Sequence, residues 1–306
     1  GSLDLTLHDR ATGTAYVTRR FHDEETDEVR LRLRGADDRV VLEGRGSSIL
    51  LRLVGGTGDD TVTVASPGTR AKFYDHQGGN AVEGAGGIGW SRRPFSEWEW
   101  TEEDRGMPRD WGSWTVPVVW TLYDTDLGFF LGGGFTRTTY GFRKEPYASR
   151  LRMRAGVATT PATGRFELLW RAYAENSGTS FRLRVHASGL DVLRYYGLGN
   201  DTSSEPDDDF FRAGQQRVLL EPGGGWERGG VELTLGLTGG WAGVTENEDR
   251  FIGTIQDTLY GANDFVQAGV RAGIALRAGS LRRGLRIEVE GRAYPELFDV
   301  EEAWGR

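Results

Sequence analysis

The feature that most constrains the fold is the alternation of apolar and polar residues in segment after segment beyond residue 114. In RFELLWRAYAE, residues 165–175, one set of alternate positions is mainly aromatic or aliphatic and the other is mainly charged. FRLRVHAS, residues 181–188, repeats the scheme. A period of two residues is that of a β-strand with one apolar face. About nine such segments follow residue 114, so we predict about nine strands there.

The length and charge of these segments favour a membrane-crossing sheet. They run for about 9–13 residues, close to what a tilted transmembrane strand needs and longer than the ~5–6 residues typical of soluble sheets. Their polar positions are rich in arginine and glutamate, as expected when opposite charges pair across a wet lumen. We therefore predict an all-β chain in which residues 114–306 form the first half of an antiparallel transmembrane β-barrel. The residues predicted to face the lumen are Arg165, Glu167, Arg171, Arg182 and Arg184.

A loose repeat over residues 29–84 predicts a different kind of β-structure at the start of the chain. Stacking the repeat units aligns Val40, Val62 and Val82, and it also aligns the side chains two positions earlier. Those earlier side chains are Asp38, Asp60 and Asn80. Such a period fits short strands stacked coil on coil, with glycine and Asx residues in the turns. We predict a small β-solenoid-like domain over residues 1–87.

Residues 88–113 are predicted to be a tryptophan-rich connector. Five of the ten tryptophans of the chain lie in or just after it. These are Trp90, Trp98, Trp100, Trp111 and Trp114. Two interpretations stay open: the indoles pack onto the neighbouring domains, or they form an aromatic belt at a membrane interface.

Composition excludes several functional classes. A net charge of −8 argues against nucleic acid as a partner, because phosphate binding needs a dominant basic surface. The absence of cysteine excludes disulfides and cysteine metal sites.

Two long connections between the predicted strands, at about residues 189–209 and 244–264, are the fifth and seventh of the series. In an antiparallel sheet both fall at the same end, which we predict to be the end away from the solenoid and outside the cell. The first contains the motif Tyr196, Gly197, Leu198, Gly199 and Asn200, predicted to form a folded loop base. The acidic run that follows, Glu205 and residues 207–209, is predicted to be a solvated loop, with cation-bridged lipopolysaccharide as the less favoured alternative.

The segment GGTGDDTVT, residues 55–63, fits the nonapeptide that binds calcium in tandem-repeat proteins. A single copy lacks half of the ligands, so a structural turn is favoured and a weak calcium site at Asp59 and Asp60 is the alternative. No other cofactor is predicted. His186 and Ser188 lie two residues apart on one polar face, without a third group to orient the histidine, so the chain is predicted not to be an enzyme.

Three stretches resemble the bacterial surface antigen family of outer-membrane barrels, of the BamA and TamA type. They are PVVWTLYDTDLGFFLGGGF, YGFRKEPYASRLRMRAGVA and YYGLGNDT. The resemblance spans roughly residues 114–293, and its most specific part is Tyr196 to Asn200. A Gly/Asx-rich solenoid ahead of the barrel is similar to the branch of the family linked to metallophosphatase or patatin-like domains.

The resemblance implies a location in the outer membrane of a Gram-negative bacterium, with the N-terminal domain in the periplasm. It implies a role in the insertion or translocation of outer-membrane protein or lipid. The partners would be outer-membrane lipid, lipopolysaccharide and a polypeptide or lipid cargo. The family's barrel has sixteen strands and a late Arg-Gly loop motif that this sequence does not match, so the chain is expected to be the non-enzymatic front part of a longer protein.

Two other functions remain open. A soluble secreted β-repeat adhesin or carbohydrate-binding protein would use its tryptophans and tyrosines as sugar platforms. An enzyme whose catalytic domain lies upstream is the weaker possibility.

Overall fold

The computed structural model describes residues 1–44, 46–95, 109–125, 128–160, 162–197, 208–245, 249–255, 263–279 and 284–305. The protein is all-β, with 65% of its residues in strands and 3% in helices. It divides into two compact units, Gly1–Glu102 and Glu103–Arg306. Among the described residues, no helix has the length and apolarity needed to cross a bilayer.

The first unit begins with an antiparallel hairpin, and parallel strands follow it. The hairpin pairs β1 (Ser2–His8) with β2 (Ala15–His22). One parallel sheet has the order β3-β5-β7-β9, and its strands are β3 (Glu28–Gly35), β5 (Leu50–Thr57), β7 (Ala71–Tyr74) and β9 (Gly89–Ser91). The other has the order β4-β6-β8, and its strands are β4 (Arg39–Leu42), β6 (Thr61–Val64) and β8 (Ala81–Gly84). Because successive strands alternate between the two sheets, the chain winds as a small solenoid.

The strand register confirms the repeat predicted from the sequence. Val40 pairs with Val62, and Val62 pairs with Val82, across the three coils. The Asx positions also stack: the Asp38 N–H donates to Asp60 Oδ1 at 2.9 Å, and the Asp60 N–H donates to Asn80 Oδ1 at 2.7 Å. The side chains of Asp60 and Asn80 therefore each bind the backbone of the coil before them.

Aliphatic and aromatic side chains fill the interior of the solenoid. Leu53, Val62 and Phe73 are fully buried there. Trp90 of β9 lies against Phe73, with ring centroids 5.5 Å apart. The solenoid thus extends to residue 91, beyond the predicted limit at residue 87, and Trp90 belongs to its core rather than to a connector.

The second unit is one open antiparallel sheet in which every strand neighbours the next in sequence, from β10 to β19. Its first five strands are β10 (Ser113–Asp124), β11 (Gly128–Thr139), β12 (Ser149–Thr159), β13 (Ala162–Tyr173) and β14 (Thr179–Arg194). The remaining strands are β15 (Arg212–Arg228), β16 (Val231–Val244), β17 (Phe265–Gly279), β18 (Gly284–Tyr294) and the short β19 (Trp304–Gly305). The prediction of about nine long strands is confirmed by β10 to β18.

The two longest connections are the fifth, residues 195–211, and the seventh, residues 245–264, as predicted. The fifth ends in a 3₁₀ turn, Asp208–Phe211, and the seventh contains the helix α1, Phe251–Ile255. Since neighbouring strands are antiparallel, these two connections lie at the same end of the sheet.

Candidate functional site

The long strands of the second unit separate their side chains into two chemically distinct faces. On one face, the register places Arg150 beside Arg171 and Arg171 beside Arg182. On the other face, Leu151 lies beside Trp170, and Trp170 lies beside Leu183. The alternation predicted from sequence is thus aligned across strands, and it produces a continuous polar face and a continuous apolar face.

The apolar face is exposed along the sheet. Val119, Leu235 and Val289 are 76%, 68% and 62% exposed, and they lie on β10, β16 and β18. Other exposed members of this face are Phe129, Leu131, Val157, Phe181, Leu220, Leu233, Leu237, Ile274 and Ile287. Large hydrophobic side chains are therefore uncovered from one end of the sheet to the other.

Ion pairs between distant strands show that the polar face is concave. Arg171 Nη2 on β13 lies 2.6 Å from Glu232 Oε1 on β16. Arg182 Nη2 on β14 lies 3.8 Å from Glu290 Oε2 on β18. With strands about 4.8 Å apart, a flat sheet would separate these positions by about 14 Å and 19 Å. The sheet therefore curves around its polar side chains, and its apolar face is convex.

Glu221 is the centre of the charge network on the concave face. Its side chain is 0% exposed, and it lies 3.4 Å from Arg184, 3.4 Å from Arg271 and 3.1 Å from Arg292. These arginines belong to β14, β17 and β18, so a single carboxylate on β15 joins strands on both of its sides. A buried carboxylate is favourable only with such close partners, because an unpaired one would be strongly destabilising.

All five residues predicted to face the lumen lie on this concave face. Arg171 pairs with Glu232 and Arg184 pairs with Glu221. Glu167 lies 4.0 Å from Arg152. Arg165 lines a smaller cavity together with Asp191. The acceptors Glu221 and Glu232 and the donors Arg271 and Arg292 were not predicted from the sequence. Around Glu221, Pro222 and the glycine run 223–225 hide the alternation.

The main cavity of the concave face has a volume of about 650 Å³ and is strongly basic. Side chains from both ends of the sheet line it, including Trp114 of β10 and Glu288 of β18. Arginines from β12, β13 and β14 dominate the lining: Arg150, Arg152, Arg154, Arg171, Arg182 and Arg184. Arg271 adds a seventh guanidinium group, against the two carboxylates of Glu221 and Glu288.

Aromatic side chains join the two long connections at one end of the sheet. Tyr196 packs against Phe211 at 4.7 Å between ring centroids, and Tyr195 stacks on Phe251 at 6.2 Å. Gly197 adopts a φ of +99°, and a Cβ at this position would lie 3.5 Å from the Phe251 ring. The first two residues of the predicted loop motif thus belong to a folded loop base, whereas Leu198, Gly199, Asn200, Glu205 and Asp207 lie outside the described residues.

The candidate calcium turn uses its carboxylates within the solenoid. Asp59 Oδ1 accepts a hydrogen bond from the Gly79 N–H at 2.6 Å, while Asp60 Oδ1 accepts that of Asp38. Burial raises the pKa of Asp60 above its usual value. Within the part of the chain that the structure describes, no three His, Cys, Asp or Glu residues are grouped in a way that could hold a metal ion.

His186 and Ser188 are buried on the concave face and do not form a pair. The Ser188 hydroxyl lies 3.3 Å from Asp191 Oδ1 and accepts the Leu190 N–H. Neither ring nitrogen of His186 has a hydrogen-bond partner among the described residues. This arrangement lacks the serine–histidine contact that a hydrolase would use.

Comparisons of the chain with protein-family models, with curated proteins and with solved structures found no match.

Proposed function

We propose that the second unit is part of the wall of an outer-membrane β-barrel of the surface antigen type. Its convex face would contact lipid and its concave face would line a water-filled interior. In this proposal the solenoid lies in the periplasm and the fifth and seventh connections lie outside the cell. The protein would take part in inserting or moving polypeptide or lipid at the outer membrane.

The observation that carries the membrane part of this proposal is the exposed convex face. Water-soluble monomers rarely expose a contiguous apolar patch larger than about 300–600 Å². Here side chains such as Leu235, Leu237 and Val289 are more than half exposed, on strands at separate places in the sheet. In hydrocarbon the same side chains are in their preferred solvent.

The concave face supports the same proposal through its charges. Arg171 with Glu232 and Arg184 with Glu221 are close ion pairs inside the curve of the sheet. Charged side chains would be costly against lipid but are readily hydrated in a lumen. The strand β10, which starts the sheet and is paired only with β11 among the described residues, contains Pro117. Proline lacks the donor that an interior strand needs, so its position suits the edge or seam on which insertion would depend.

The test compares one arginine on each face at the same depth. Leu235 lies on the convex face, and its neighbour Thr234 lies on the concave face between Gly225 and Gly273 of the adjoining strands. We expect Leu235→Arg to weaken stable association with liposomes of outer-membrane lipid. A lipid-facing arginine near the bilayer midplane destabilises a barrel by about 2–4 kcal/mol. Thr234→Arg should retain it, because the flanking glycines leave room and the face is wet.

The measurement is flotation of the full chain with liposomes after an alkaline carbonate wash. Equal loss in both variants would point to a folding defect and would count against the assignment of faces. A wild-type chain that stays monodisperse in buffer without detergent, and does not float, would disprove the membrane location and favour a soluble adhesin.

A further inference from the structure

The concave face carries guanidinium groups side by side on three adjacent strands. Arg150, Arg171 and Arg182 are directly opposite one another on β12, β13 and β14. Like charges in directly opposite positions are destabilising unless counter-charges are close. Arg171 has such a partner in Glu232, whereas the ion pair of Arg182 with Glu290, at 3.8 Å, is beyond hydrogen-bond distance.

Several of these guanidinium groups have buried N–H donors with no acceptor among the described residues. The donors are Arg152 Nε, Arg171 Nε, and both Nε and Nη2 of Arg182. A buried donor without an acceptor costs free energy, and more so when it is charged. Arg152, Arg171 and Arg182 also line the main cavity of about 650 Å³, so side chains with unsatisfied donors from three neighbouring strands border one space.

Two glycines follow Arg182 on the next two strands of the sheet. Gly223 is directly opposite Arg182 on β15, and Gly236 follows it on β16. A Cβ on Gly223 would lie 3.4 Å from Arg182 Nε, so a larger side chain there would crowd the guanidinium group.

We propose that this cavity binds a phosphoryl group through Arg152, Arg171 and Arg182. A phosphate carries up to two negative charges and several acceptor oxygens, and the planar guanidinium group binds it bidentately. Seven arginines in the lining, against the carboxylates of Glu221 and Glu288, supply the charge and the guanidinium N–H donors. The site depends on the curvature of the sheet and not on whether the convex face contacts lipid.

The phosphoryl group has two possible sources, a lipid headgroup or a free phosphate, and the probes separate them. Inorganic phosphate and short-chain dihexanoyl phosphatidic acid are titrated by calorimetry into the full chain in a non-ionic detergent at fixed ionic strength. Tighter binding of the phosphatidic acid would identify a lipid phosphate as the ligand, and equal binding would identify a free phosphate. Both outcomes support the site if the binding requires Arg182.

The decisive variants change Arg182 and a matched arginine outside the cavity. Arg182→Gln should weaken binding of the probe about tenfold or more, the value of one charge-assisted hydrogen bond. Arg182→Lys should weaken binding less than Arg182→Gln does, because lysine keeps the positive charge. It should still weaken binding, because lysine lacks the planar set of guanidinium donors. Arg217→Gln is the control: Arg217 lies on the same face but pairs with Asp191 at 2.9 Å, so binding should not change.

A structural role for Arg182 would alter thermal stability without altering the dissociation constant of the probe. The proposal is overturned if neither probe binds the wild-type chain. It is also overturned if Arg182→Gln and Arg217→Gln weaken binding equally, because that result would indicate general attraction to a basic surface.

Discussion

At the residue scale, the solenoid contains a buried pair of acidic side chains. Asp60 is 2% exposed, and Asp75 is buried beside it. A Cβ on Gly55 would lie 2.8 Å from Asp60 Oδ2 and 1.8 Å from Asp75 Oδ2, so glycine is required where the two carboxyl groups meet. Asp75 Oδ2 has no hydrogen-bond partner among the described residues.

These surroundings determine how Asp60 responds to pH. Burial raises the pKa of Asp60; the hydrogen bond from the Asp38 N–H opposes this, and the charges of Asp38 and Asp75 add to it. An acid with a raised pKa in the folded state holds its proton more tightly there than in the unfolded chain. Its stabilising contribution is complete below the ordinary aspartate pKa of 3.8 and is lost as pH rises through the raised value.

Asp60→Asn is therefore expected to stabilise the solenoid at pH 7. The amide oxygen can still accept the Asp38 N–H, and the amide nitrogen can donate to Asp75 Oδ2. We expect a gain of about 1 kcal/mol from satisfying a buried acceptor. Hydrogen exchange of peptides covering residues 50–64 measures it between pH 4 and pH 7, where the variant should be less sensitive to pH than the wild type.

Asp59→Asn is the matched control, because Asp59 is exposed. A loss of protection in Asp60→Asn at pH 7, together with stabilisation of the wild type by added calcium, would contradict the buried-acid interpretation. That result would favour the weak calcium site predicted from the sequence.

At the element scale, the turns of the solenoid depend on close approach of its strands. Gly56 on β5 pairs with Arg34 on β3, and a Cβ on Gly56 would lie 1.2 Å from the Arg34 carbonyl oxygen. The glycines of the calcium-like motif thus have a packing role between coils. The spacing of these glycines could be read from the sequence. Which strand they approach could not be predicted from it.

Gly56→Ala should separate β3 from β5 and destabilise the solenoid by about 1–3 kcal/mol, the usual cost of overpacking a close contact. Gly87→Ala is the control, because a Cβ there would meet nothing within 4 Å. Hydrogen exchange over residues 28–35 is the measurement. Unchanged protection in Gly56→Ala would mean that the two strands are not held at this distance in solution.

The long strands were predictable in number, and less so in extent. Alternation identified the segment that ends at residue 188, but β14 continues to Arg194. An irregularity between Ser188 and Asp191 breaks the period of two and hides the continuation from a sequence pattern. The fifth connection consequently begins at residue 195 rather than near 189.

At the scale of the second unit as a whole, the curvature of the sheet is the property that could not be predicted from the sequence. Alternation assigned Arg171 and Arg184 to the polar face, but their acceptors lie on other strands. Glu232 is 61 residues from Arg171, and Glu221 is 37 residues from Arg184. Which charges meet depends on the register of several strands together and on the bend of the sheet, and neither can be read from one segment.

Glu221 offers a test of whether the charge network maintains that curvature. Glu221→Gln removes the one carboxylate that Arg184, Arg271 and Arg292 share, and it leaves Glu290 as the remaining partner of Arg271 and Arg292. Breaking such a buried network costs about 3–5 kcal/mol. We expect faster hydrogen exchange across β14 to β18 in detergent, whereas Glu227→Gln, which alters a more exposed pair with Arg277, should change little. If hydrogen exchange across β14 to β18 is the same in the two variants, the curvature of the sheet comes from backbone twist alone. The arginines would then contribute to ligand binding rather than to the fold.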